Sequence, residues 1–352
     1  MYTTALLMLA LLFTGSPSPN VGSTTFDGRQ PQIAAIEERV ALTFGRDDRV
    51  YVATSADRGT TFGQPIVLPG NGRLSLGMRR GPRIAMTSRA LIVAAVVGQK
   101  GGGADGDLLI WRSADGGNRW AGPEVLNDVP GAAREGMHAL ASNPTTGLVV
   151  AAWLDLRQKG TRIYAAVSKD HGATWAPDVL VYESPSGTVC QCCHPSVAIA
   201  ADGTIAVMFR NSLDGNRDMY VTISKDAGRT FAAGRKQGSG SWQLEACPMD
   251  GGNLDWTDGR PASVWRREGE LYAVIDEGPE RSLGPGVDPV MSVYQNTIDL
   301  AWTSPDGVML RRGNHEPVLV DAGRFSAVLA QRDRTLVAWE HNGKVLVRTW
   351  AR

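Results

Sequence analysis

Short apolar runs, four to seven residues long and rich in Val, Ile, Ala and Trp, recur along the whole chain with turn residues between them. Leu91-Ile92-Val93-Ala94-Ala95-Val96-Val97 and Val149-Val150-Ala151-Ala152-Trp153 are continuous. Others alternate, such as Val50-Tyr51-Val52-Ala53-Thr54. Runs of this length with β-branched and aromatic enrichment predict strands, the continuous ones buried on both faces.

The runs are grouped. Six units open on similar strands: Gln30-Pro31-Gln32-Ile33-Ala34, Gly81-Pro82-Arg83-Ile84-Ala85, Met137-His138-Ala139-Leu140-Ala141, His194-Pro195-Ser196-Val197-Ala198, Arg260-Pro261-Ala262-Ser263-Val264 and Arg324-Phe325-Ser326-Ala327-Val328. Three further strands follow in each unit. Between the third and fourth sits a box, first seen as Ser55-Ala56-Asp57-Arg58-Gly59-Thr60-Thr61-Phe62. It returns around Asp115, Asp170 and Asp226, with starts 55 to 58 residues apart, and Ser304-Pro305-Asp306-Gly307 reads as a degraded fifth copy. In each box the carboxylate can cap backbone N–H groups and the Gly takes a left-handed φ. These aspartates are therefore structural. A single four-stranded sheet cannot bury both faces, but sheets stacked radially can. The expected fold is all-β, a six-bladed β-propeller. The last unit lacks a fourth strand, and Gly22-Ser23-Thr24-Thr25-Phe26 is placed to supply it, closing the ring with both termini. Gly278 to Pro289 reads as a long loop.

Composition changes this picture little. Lys+Arg and Asp+Glu both number 36 among 352 residues, so nothing predicts electrostatic binding of nucleic acid or an acidic membrane surface. The run Ala5 to Phe13, followed by Thr14-Gly15-Ser16-Pro17-Ser18-Pro19, reads as a secretory signal peptide over residues 1–19. It is too short to span a bilayer comfortably, and no other segment is long enough to do so. Residues 20–352 then form one exported domain, periplasmic or extracellular.

Three of the four cysteines fall within four residues, in Cys190-Gln191-Cys192-Cys193-His194-Pro195. The apolar runs on either side of Asp202-Gly203 predict that this packet heads a β-hairpin. On a propeller, strand heads converge at one end of the axis, so Arg29, Arg83, His138, His194 and Phe325 are expected around a shared cavity. Cys247-Pro248-Met249-Asp250 precedes the next unit. Three readings of the packet stand together. Two disulfides are one, because export permits them. A metal site on Cys190, Cys192, Cys193, His194, Cys247, Met249 and His138 is another, with copper or zinc suited to thiolate, imidazole and thioether donors. A redox-active thiol centre is the third.

With its Ser-x-Asp-x-Gly-x-Thr-aromatic boxes, the chain resembles the sialidase (neuraminidase) superfamily over nearly all of residues 20–352. That resemblance implies a carboxylate-binding arginine at Arg29 in Arg29-Gln30-Pro31 and a second at Arg210; Arg83 is a ligand-binding candidate from its strand-head position alone. Arg266, Arg267 and Arg281 are candidates for the third. It implies an acid/base Asp at Asp47 or Asp48, and a nucleophilic Tyr where this chain has Phe325-Ser326, followed by Trp339-Glu340. The Glu that would polarise that Tyr falls where Cys193 and His194 stand. A phenyl ring cannot form a covalent glycosyl intermediate. The expected function is therefore an axial pocket rebuilt for a metal or a redox thiol. Exo-α-sialidase activity on sialylated glycans is the alternative, and a glycan-binding propeller with structural disulfides is a third. The expected partner is a small molecule, a glycan or a metal.

Overall fold

The computed structural model describes residues 20–352; the signal-peptide reading falls outside them. Within that range the chain forms a propeller of seven blades, not six, and no helix. Blades 1 to 4 occupy residues 29–67, 73–125, 138–182 and 196–236. Blades 5 and 6 occupy residues 253–285 and 287–321. Blade 7 takes its three inner strands from Arg324–Ala330, Arg334–His341 and Lys344–Ala351. Its outer strand is Asn20–Asp27, antiparallel to the C-terminal strand with Thr25 opposite Leu346. The first and last segments thus close the ring.

The extra blade lies where six units had been expected to suffice. Arg260–Arg267, expected to be an inner strand, is the second strand of blade 5 and pairs with Asn253–Thr257. Val287–Tyr294 is the inner strand of blade 6, and Arg281–Pro285, within the predicted loop Gly278 to Pro289, is the outer strand of blade 5. Neither blade carries a box. Ser304-Pro305-Asp306-Gly307 is instead the turn between the second and third strands of blade 6, not a fifth copy. Without the box the inner strands start closer together: those at Asn253, Val287 and Arg324 are 34 and 37 residues apart, against 54 to 58 in the boxed blades.

The blades hold together through side-chain alternation in their second strands. In blade 3, Val150, Ala152 and Leu154 meet Ile205, Val207 and Phe209 of blade 4, whereas Val149, Ala151 and Trp153 face blade 2. Successive strand residues point to opposite faces, and here both faces are core. Seven apolar clusters result, one for each pair of neighbouring blades, the last joining Leu42 and Phe44 to Ala338 and Val347. Each fully buried Val, Leu or Phe contributes roughly 1.5–3 kcal/mol relative to exposure.

The boxes cap the end opposite the strand heads. Asp57 accepts from Thr61 N (2.9 Å) and Thr61 Oγ1 (2.6 Å), and Ser55 Oγ accepts from Gly59 N (2.9 Å). Asp170 and Asp226 repeat this arrangement, and Asp115 caps Arg119 N.

Blade 2 departs from the pattern. Arg73–Leu74 and Arg83–Met86 both pair with Leu91–Gly98. The segment between them, residues 75–82, leaves the sheet. Gln30 Oε1 ties it to blade 1, accepting from Gly77 N (3.1 Å) and Gly81 N (2.8 Å).

Candidate functional site

At the strand-head end, a cavity of about 340 Å³ is bordered by Arg29, Met78, Met249, Asp250, Arg266 and Phe325, with Asp288 and Arg324 also in its wall. Each comes from a different place in the fold. Arg29 opens the first strand of blade 1, and Phe325 is the second residue of blade 7's first strand. Met78 comes from the interrupted strand of blade 2. Met249 and Asp250 lie on the crossing from blade 4 to blade 5.

Arg29 donates from Nε to Glu340 (3.2 Å), and Gln30 N donates to the same carboxylate (3.2 Å). Glu340 is buried, but the Arg29 side chain stays 43% exposed. Phe325 holds a left-handed φ of 53°, with the Arg324 guanidinium 5.0 Å from its ring centre. Arg266 is paired with Asp250 (3.2 Å), and Asp288 accepts from Arg79 Nε (3.1 Å). Burial raises the Asp288 carboxyl above its usual range.

Arg83 and Arg210 lie beneath this mouth and are not free to take a ligand. Arg83 donates to Gly81 O (2.8 Å) and Pro82 O (3.3 Å), and burial with the Arg79 charge pushes it down to about 9. Arg210, 1% exposed, donates to Asp250 O (3.1 and 2.9 Å), Arg217 O (2.6 Å) and Arg266 O (2.9 Å). It forms no ion pair among the described residues. The third-arginine candidates also separate: Arg266 borders the cavity, whereas Arg267 is held by Glu280 (2.7 Å) and Arg281 lies on the outer strand of blade 5.

The two histidines are buried and neutral. His138 sits between Gly136 O (3.0 Å) and Ala94 O (3.1 Å), and burial lowers it to about 3, so it donates to only one of them. Burial first, then the charges of Arg79 and Arg83, push His194 well below its usual value, and its Nδ1 has no hydrogen-bond partner. Asp47 and Asp48 form the turn between the second and third strands of blade 1. They have φ values of 49° and 59°, as a two-residue hairpin turn requires. Asp48 pairs with Arg73 (2.9 Å) and Asp47 with Arg46 (3.6 Å); neither borders the cavity.

The chain crossing from blade 3 to blade 4 brings three thiols together. Cys190 N donates to Arg210 O (3.0 Å), which fixes the start of the packet. The sulfurs of Cys190, Cys192 and Cys193 all lie within 4.8 Å of one another, with Cys190–Cys193 at 3.5 Å and Cys190–Cys192 at 3.7 Å. All three are buried, and the Met78 side chain packs against them. Hydrogen bonding with Cys192 and Cys193 holds Cys190 down to about 3, and the Arg210 charge adds to this. Cys192 is correspondingly pushed up by Cys190, and Cys193 rises to about 11, through burial first. His138, His194 and the exposed Cys247 stand outside this group.

Three axial residues carry no signal of their own in the sequence reading: Met78, Arg79 and Asp288. The glycine-flanked basic pair in Gly77-Met78-Arg79-Arg80-Gly81, directly before an inner strand, is the feature that marks the first two.

A family model described as a BNR repeat-like domain matches residues 91–248. No curated protein matches. Among solved structures, an α-L-arabinanase of Penicillium chrysogenum complexed with arabinobiose is 14% identical. It aligns over 92% of this chain and 93% of its own, with a TM-score of 0.55. An α-L-arabinofuranosidase of Fusarium graminearum in complex with an iminosugar inhibitor is 12% identical over 96% and 98%, with a TM-score of 0.56. A Hadza microbial sialidase is 15% identical over 89% and 76%, with a TM-score of 0.50. The chain is thus similar to sialidase-like BNR-repeat propellers, and at these identities the likeness is one of fold.

Proposed function

We propose that this sialidase-like propeller is an exported binding protein for a soft metal ion, held by Cys190, Cys192 and Cys193 beneath the axial cavity. The observation that carries the reading is the convergence of three buried sulfurs within 4.8 Å beside Arg210, a buried cation without a carboxylate partner. A buried charge is costly unless compensated, and thiolates bound to a metal supply the missing negative charge. Thiolates select copper(I) or zinc. Structural zinc takes four ligands, and His194 and Cys247 do not join the group. Copper(I) is therefore the better match. Three unpaired thiols in an oxidising compartment are also best preserved by ligation.

Hydrolase chemistry has less support. Phe325 offers no nucleophilic oxygen, and Arg83 and Arg210 spend their N–H groups on carbonyls. The exposed guanidinium of Arg29 beside Phe325 favours a second reading, an acidic sugar bound in the mouth, for which the sialidase named above is the analogue. Two assays separate these readings. Anaerobic titration of the reduced protein with copper(I) against a chromophoric chelator is expected to give one equivalent bound, lost in Cys193→Ser. Turnover of a fluorogenic sialoside that disappears in Arg29→Ala would overturn the metal reading in favour of the hydrolase.

A further inference from the structure

We propose that Met78 is the inner gate of this metal site and that the axial cavity is its port, with Met249 as the outer thioether that passes copper(I) in and out. The inference rests on the copper(I) reading above. Met78 belongs to both compartments, packing against the three thiols and bordering the cavity. Its position is imposed by the backbone. Gly77, Met78 and Arg79 have successive φ values of 89°, 52° and 63°, left-handed and costly for the two non-glycine residues. Gln30 holds the segment from blade 1, and Arg79 is anchored on Asp288 across the axis. Such a sequence of left-handed residues persists only because its surroundings impose it, and it aims one thioether between solvent and thiols.

Met249 supplies the second soft donor. It is 46% exposed, holds a left-handed φ of 58°, and faces the same cavity from the opposite crossing. An exposed methionine on a wall that also carries Arg29, Arg266 and Arg324 gives a copper(I) ion a stepping point that arginines cannot provide. The thioether of Met78 lies 3.1 Å from Arg80 Nη1, so the same sulfur has an alternative partner when it is not on the metal. Passage is ligand exchange without redox change. A thioether–copper bond forms at Met249 as the donor's ligand leaves. It is then replaced by Met78, and finally by the thiolates as their remaining protons go to water.

The test is the rate at which the copper(I)-loaded protein yields its ion to bathocuproine disulfonate under anaerobic conditions, with loading measured in reverse. Met249→Leu and Met78→Leu keep side-chain volume and remove the sulfur. Both are expected to slow exchange about tenfold, with Met78→Leu also weakening binding, in the range seen when groups around a metal site are lost. If wild type takes up no copper(I), the functional reading itself fails. If wild type binds and both variants exchange at the wild-type rate, the site stands and the port is refuted. Because Met249 is exposed, its variant tests the port even if Met78→Leu does not fold.

Discussion

Replacing Arg210 by Met tests the electrostatic logic of the axis. The methionine keeps much of the stem volume but removes four hydrogen bonds to the carbonyls of Asp250, Arg217 and Arg266. At about 1 kcal/mol net for each bond, and with some relief from removing a desolvated charge, the loss is about 3 kcal/mol. Roughly 330 residues unfolding at ~2.1 cal/mol/K each give ~0.7 kcal/mol/K, so the melting temperature should fall by about 4 °C. The same change removes the cation that favours the Cys190 thiolate. Copper(I) affinity should therefore fall about 10- to 100-fold, the usual cost of losing a group behind a metal ligand. Calorimetry of the reduced apo-protein reads the first effect and chelator competition reads the second. A variant as stable as wild type would refute the scaffold argument. One that melts lower but keeps its copper affinity within about twofold would refute the countercharge argument.

Three further outcomes follow from the site and the boxes. Phe325→Tyr restores the missing phenol, yet it should leave a fluorogenic sialoside intact, because Cys193 and His194 stand where the partner Glu is expected; measurable turnover would contradict this. His138 and His194 have folded-state values lowered below ~6.5, so their contribution is present above that pH and lost as pH falls. Between pH 6.5 and 5 His138 should cost about 2 kcal/mol, and His194→Gln should flatten the melting-temperature profile over that window. Asp170 is held at about 2 by Thr174 and Ser168, so its stabilisation is present above its usual value and fades as pH falls toward 2. Asp170→Ala should lower the melting temperature at pH 7, narrow the gap to wild type in acid, and leave copper(I) binding unchanged.

The boxes made four blades legible because each needs Ser, Asp and Gly at fixed offsets to cap one turn, with Thr at a fourth position in three of them. Blades 5 and 6 close the same kind of sheet through other turns, so the spacing signal ended at Asp226 and two blades read as one. The continuous apolar run that places Val149 and Val150 on opposite buried faces was visible, yet it counts strands and not blades. At the site, Cys190, Cys192 and Cys193 were adjacent in sequence and remain adjacent in space. Arg83 and Arg210 looked like ligand groups because residue type says nothing about which carbonyls an arginine meets. Met78 was hidden because a strand interruption, not a motif, delivers it to the axis.

The central claim is the three-sulfur site. Its most direct test is copper-edge X-ray absorption on the full chain loaded anaerobically with one equivalent of copper(I). The account predicts a first shell of sulfur alone, three or four atoms, that collapses in the Cys190→Ser, Cys193→Ser double variant. A nitrogen- or oxygen-dominated shell, or a spectrum unchanged in the double variant, would contradict it.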